Sequence, residues 1–125
     1  MNEVKKVLLV GIDPKLINFD NLPENIDSEL IRAEAIQANK RLTELGYEIY
    51  NCFTDLGETA ASTIVEILKI NNFDCIMIGA GIRTINEHLF LFEKIINVIH
   101  SNAPKSKICF NTRPLDSVEA VQRWT

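Results

Sequence analysis

The side chains best suited to chemistry in this 125-residue chain are two arginines, Arg83 and Arg113, one aspartate, Asp13, and one histidine, His88. Arg83 follows a Gly-x-Gly turn, Gly79-Ala80-Gly81, within the run FDCIMIGAGIRT, and precedes Thr84, a residue suited to capping a helix. Glycines let the backbone approach a ligand, and the free amides of a following helix favour an anion. Two guanidinium groups beside such a turn would clamp a phosphate or carboxylate. The plainer alternative is a tight turn whose arginines are solvated or paired with Glu87, Glu119 or Asp116.

Asp13 follows Gly11-Ile12 and could serve as a base or hold a metal, although Asp-Pro is also an ordinary end to a strand. His88 could shuttle protons or pack on the apolar arc of Leu91, Ile95 and Val98. Asn111 and Thr112 end a strand and could bind a ligand or cap the turn. The expected ligand set is thus Gly11, Asp13, Gly79, Gly81, Arg83, Thr84, Asn111 and Arg113, with Asp13 and His88 as catalytic candidates for phosphoester or acyl hydrolysis. No metal site and no cofactor are expected. Thr54-Asp55-Leu56-Gly57 reads as a helix-capping turn.

Four strand-then-helix units must position these residues. Strands are expected over 6–12, 47–53, 73–78 and 107–111, the third apolar on both faces and the second interrupted by Glu48 and Asn51, as at a sheet edge. The first helix is expected from about Asp27 to Gly46, with Ile31, Ala35, Ala38, Leu42 and Leu45 on one face, an Asp27 cap and an Ile26–Ile31 staple. The second runs from about Glu58 to Asn71 with Ala61, Ile64, Val65 and Leu68 inward. The third spans Thr84 to about His100 behind a Thr84–Glu87 capping box. A short last helix starts at an Asp116–Glu119 box and ends at Trp124.

Repeated βα units imply one α/β domain over residues 1–125: a three-layer α/β/α sandwich, flavodoxin-like or Rossmann-like, with a four-stranded parallel sheet of order 2-1-3-4. The order reverses between the first and third strands, where ligands favour the carboxyl edge. The glycine run is not a dinucleotide fingerprint, since Thr84 holds its sixth position, it follows the third strand, and Asn111 stands where a ribose-binding acid would be wanted. The turn Gly11-Ile12-Asp13-Pro14-Lys15 lacks the hydroxyl-rich loop that FMN needs. A receiver domain would need an acidic pair there and an aspartate at Gly79, and the phosphatases and transport domains of this topology need a cysteine after the first strand.

The blocks FDCIMIGAGIRT, LFEKIINVIH and KICFNTRPLDSVEAVQRW resemble those of a group of small bacterial hypothetical proteins. The resemblance covers about the last two fifths of the chain well and the first strand loosely. It implies a single flavodoxin-like or Rossmann-like domain and supplies neither a reaction nor catalytic residues.

Composition narrows the partners. Thirteen scattered basic residues and a net charge of −4 exclude the basic face that nucleic acid requires. No apolar run is long enough for a membrane span or a signal peptide, so a cytoplasmic protein is expected. Cys52, Cys75 and Cys109, odd in number and strand-embedded, read as reduced buried thiols. The segment 14–26 carries Leu16, Ile17, Phe19 and Leu22, and the helix over 85–100 is apolar round an unusually wide arc, with Phe90 on its polar side. A helix wedged between the sheet and a lid loop would account for both features; the sharper reading is a homodimer interface, and a non-catalytic, receiver-like interaction module is the alternative to a small-anion binder.

Overall fold

A computed structural model describes residues 4–13, 16, 28–57 and 59–125. The expected Asp27 cap, the Ile26 staple, the Glu58 helix start and the contact segment 14–26 apart from Leu16 lie outside the described residues. The element order is β1 (Lys6–Ile12), α1 (Ser28–Glu44), β2 (Glu48–Thr54), α2 (Ala60–Ile70), β3 (Cys75–Ile78), α3 (Ala80–Arg83), α4 (Leu89–Asn102), β4 (Lys107–Phe110) and α5 (Ser117–Gln122). Single 3-10 turns, Asn86–His88 and Pro114–Asp116, precede α4 and α5.

All strands are parallel, in the order β2-β1-β3-β4. Helices cover both faces, which gives the three-layer α/β/α arrangement and strand order of flavodoxin-like folds. Alternation along the strands divides the core in two. Leu8, Val10, Ile12, Cys52, Ile76 and Ile78 meet α2 and α4 on one face. Val7, Cys75, Met77 and Cys109 meet Leu42 of α1 and Val118, Ala120 and Val121 of α5 on the other. All four residues of β3 are buried, as its continuous apolar run requires.

α1 stops where Gly46 takes the left-handed conformation, φ +95°. Ala38 and Leu42 are buried as expected, but Leu45 falls past the helix end and is exposed. Asp55 caps the approach to α2, accepting from the Gly57 amide at 3.0 Å and the Thr59 hydroxyl at 2.7 Å.

The expected third helix is a correction. The chain turns helical at Ala80, directly after Gly79, breaks at Thr84–Ile85, and resumes through a 3-10 turn into α4. Thr84 therefore ends α3 and does not cap α4: its hydroxyl donates to the Ala80 carbonyl at 2.7 Å, the local bond that short hydroxyl side chains form in competition with a cap. Asp116 likewise makes no cap to α5. It turns back to accept from the Thr112 amide at 2.9 Å and from the Thr112 hydroxyl.

The three cysteines are free and buried. Cys75 and Cys109 touch, with sulfurs 3.3 Å apart. Because Cys109 pairs in register with Met77, the two are diagonal neighbours, and diagonal Cα atoms lie roughly 7–8 Å apart, beyond disulfide reach. The contact with Cys75, then burial, pushes the Cys109 thiol up, and burial pushes Cys52 up. No helix among the described residues is long and apolar enough to cross a membrane.

Candidate functional site

The α1 face of the sheet changes character at its carboxyl end. Continuing the alternation past the core, this face receives Asn51 and Phe53 from β2, Gly11 from β1, and Gly79 and Asn111 from the positions after β3 and β4. The two central strands thus present no side chain at the same level. Gly79 hydrogen-bonds through its amide to the Val10 carbonyl at 2.8 Å, and a Cβ on Gly79 would stand 3.3 Å from that oxygen and 3.9 Å from Gly11 Cα. Close strand approach thus favours glycine at 79, since a side chain there would force the strands apart by a few tenths of an ångström. Gly11 and Gly81 differ, because a Cβ on either would meet nothing within 4 Å.

That missing volume is a cleft of about 560 Å³ between the first half of α1 and the sheet, at the β1/β3 reversal of strand order. Its walls are chiefly apolar, with Leu9, Ile31, Ala35, Ile36, Phe53 and Met77 prominent. Ile36 and Phe53 are largely exposed and form its mouth. A shallower depression of about 540 Å³ on the outer side of α1 is lined by that helix alone and gathers no groups from elsewhere in the fold.

Of the residues singled out in the sequence, Gly11, Gly79, Gly81, Thr84, Asn111 and Arg113 line the cleft together. Asp13, Arg83 and His88 are not among its lining residues. Arg83 crosses to the other face, lying 5.8 Å over the Phe110 ring and donating through Nη2 to the Asn111 carbonyl at 2.7 Å, while its buried Nε has no partner. His88 Nδ1 bonds the Gly81 carbonyl at 2.9 Å and pins the break between α3 and α4; it does not lie on the buried arc of Leu91 and Ile95. The Asp13 backbone continues the β1–β2 contact, its amide donating to the Thr54 carbonyl at 3.0 Å.

Arg113 is paired with none of the acids expected from sequence. Its guanidinium grips Glu34 of α1 with two prongs, Nε to Oε1 at 2.9 Å and Nη2 to Oε2, and the Leu115 amide adds a third bond to Oε1 at 3.3 Å. Glu34 is only 7% exposed. This pair ties the first half of α1 to the loop after β4 and so bridges the cleft. Sequence reasoning missed Glu34 because it occupies one position of a helix whose apolar spacing is otherwise ordinary. The available signal was an acid adjacent in the helical sequence to Ala35, on the inward arc.

The amide cradle expected of the glycine turn is mostly occupied. Ala80 N–H donates to Asn111 Oδ1 at 2.8 Å, and the Ile82 and Arg83 amides both donate to the Gly79 carbonyl. Asn111 is buried and completes its bonds through Nδ2 to Ser117 Oγ at 3.0 Å. Arg32 also lines the cleft and was not expected. It has no ion-pair or hydrogen-bond partner among the described residues. None of the described lining residues is acidic. Among the described residues no cluster of three or more His, Cys, Asp or Glu is placed to hold a metal ion.

Comparison of the chain with protein-family models, curated proteins and solved structures finds no match.

The loop that carries Arg113 makes a prediction about acid. Burial acts to raise Asp116, but the Thr112 hydroxyl, the Thr112 and Arg113 amides and the Arg123 charge together outweigh it and hold the carboxyl below the usual range. Bonds from the Thr59 hydroxyl and then the Gly57 amide do the same for Asp55. A depressed carboxyl contributes stability that is full above its unfolded pKa, near ~4, and is lost as pH falls through the folded value. Urea midpoints should therefore decline below about pH 4. Asp116→Asn should cost about 0.5–1 kcal/mol at neutral pH, the solvent-screened end for bonds to a charged group, and flatten the acid decline. An acid limb identical in wild type and variant would contradict this role.

Proposed function

We propose that this chain binds a small ligand bearing a phosphate or carboxylate in the cleft under α1, and does so in the cytoplasm. The observation that carries the reading is the cleft itself. Its volume falls within the roughly 300–1,000 Å³ of small-molecule sites, it lies at the reversal of strand order, and its described lining includes guanidinium groups but no carboxylate. Arg32, without an acidic partner among the described residues, supplies the positive charge. Arg113 contributes less, because Glu34 offsets it. Three buried free thiols suit a reducing compartment. Whether chemistry follows binding is a separate matter: Asp13 and His88, the residues considered for it, are not lining residues.

The reading is tested by titrating the protein with a panel of small phosphates and carboxylates while following backbone amide resonances. At least one anion should shift Gly11, Gly79 and Gly81 together. Gly11→Leu, which places a side chain where a Cβ meets open space, should fold normally and lose that binding about tenfold or more. A panel in which no anion moves these amides would contradict the reading.

A second reading, a homodimer through the start of α4, is favoured by a different observation: Phe90 is 80% exposed and its neighbour Leu89 is 53% exposed. If that surface is an interface, light scattering should give twice the chain mass for wild type and the single mass for Phe90→Glu, with unchanged thermal stability of the monomer. A wild-type monomer at high concentration would remove this reading.

A further inference from the structure

Resting on the binding reading above, we infer that the ligand is a monocarboxylate with an apolar body, and not a phosphate. A phosphate dianion needs several convergent donors or full charge compensation, because each unpaired oxygen taken out of water is costly. Most of the donors around the glycine turn are already engaged. Of the amides at its glycine turn, those of Ala80, Ile82 and Arg83 are already bonded within the chain. The Thr112 amide beside it is held by Asp116 at 2.9 Å. The Asn111 side chain has its oxygen on Ala80 and its nitrogen on Ser117. The Arg113 guanidinium is engaged on both prongs by Glu34. Among the described lining residues the cationic group left without an acidic partner is Arg32, and a single planar guanidinium matches a carboxylate in geometry and charge.

The rest of the cleft asks for apolar surface. Its floor is the bare backbone of Gly11 and Gly79, its roof Ile31 and Ala35, and its inner end Leu9 and Met77. Covering these walls removes apolar area from water at roughly 25 cal/mol per Å², which a compact polar anion would leave unrealised. Arg32 and Ile31 are consecutive on α1, so the charged and apolar parts of the site adjoin. The carboxylate would lie on Arg32 at the mouth, and the apolar body would run inward over the glycines.

Octanoate, octanol and inorganic phosphate separate the contributions. Amide spectra of the full chain should show octanoate shifting Gly11, Gly79 and Gly81 with saturation at millimolar concentration or below, octanol binding about tenfold more weakly, and phosphate leaving these amides unmoved. Arg32→Gln should weaken octanoate about tenfold and leave octanol unchanged. Gly81→Val, a second substitution directed into open space, should weaken both. Phosphate shifting the three amides while octanoate does not would overturn the inference and leave the binding reading standing. Equal affinity for octanoate and octanol, indifferent to Arg32→Gln, would overturn the carboxylate assignment. Silence from all three probes at these amides would overturn the inference and the binding reading together.

Discussion

Gly79 and β1 are packed so closely that a Cβ on the glycine would stand 3.3 Å from the Val10 carbonyl oxygen, tighter than most side-chain contacts. Most of what distinguishes the carboxyl end of this sheet follows from that approach. With Gly11 beside it in the neighbouring strand, the two central strands end in bare backbone on the face turned to α1. Lower in the same face Val7, Cys75 and Met77 fill the space beneath Leu42 and α5. One level up, none of the described side chains fills it, and the cleft is the result.

Such a gap would invite collapse of α1 onto the sheet, since empty apolar volume forfeits contacts that a closed core would make. The Glu34–Arg113 pair opposes this. It is bidentate, one partner is almost fully buried, and its second anchor on the Leu115 amide fixes the carboxylate to the 3-10 turn before α5. A buried ion pair of this kind is weak evidence for added stability, but it does fix geometry, because either partner left alone would be a charge without compensation. Arg83 has a comparable role on the other face: it closes on the Asn111 carbonyl and the Phe110 ring, and with His88 on Gly81 it fixes the break between α3 and α4.

Strand placement and sheet order, and with them the strand reversal beside which the cleft lies, were legible in the sequence, because they depend on periodicity and on glycine and proline punctuation. β1 spans the expected residues, and Gly46 ends α1 as its type and place indicate. The side-chain chemistry was far less legible. Two arginines following neighbouring strands read as a clamp, yet the helix that starts at Ala80 carries Arg83 over the Phe110 ring while Arg113, in the loop after β4, turns to Glu34 of α1. Their partners are a backbone carbonyl and an acid 79 residues away in sequence, which no local spacing announces. Thr84–Glu87 had the spacing of a capping box, but a helix beginning at Ala80 left Thr84 at its end. One overlooked signal was present: LLVG and IMIG place a glycine after an apolar run in both central strands, and parallel pairing sets these glycines side by side.

The claim on which the rest depends is that a Cβ on Gly11 would enter the open cleft, whereas one on Gly79 would press on the Val10 carbonyl. Urea unfolding of Gly11→Ala and Gly79→Ala measures this most directly. Gly11→Ala should leave stability unchanged or raise it by up to about 1 kcal/mol through reduced unfolded-chain entropy. Gly79→Ala should lower it by about 1–3 kcal/mol, since the Val10 carbonyl is fixed in the sheet. A loss at Gly11 as large as that at Gly79 would mean that α1 rests on the sheet and that there is no cleft.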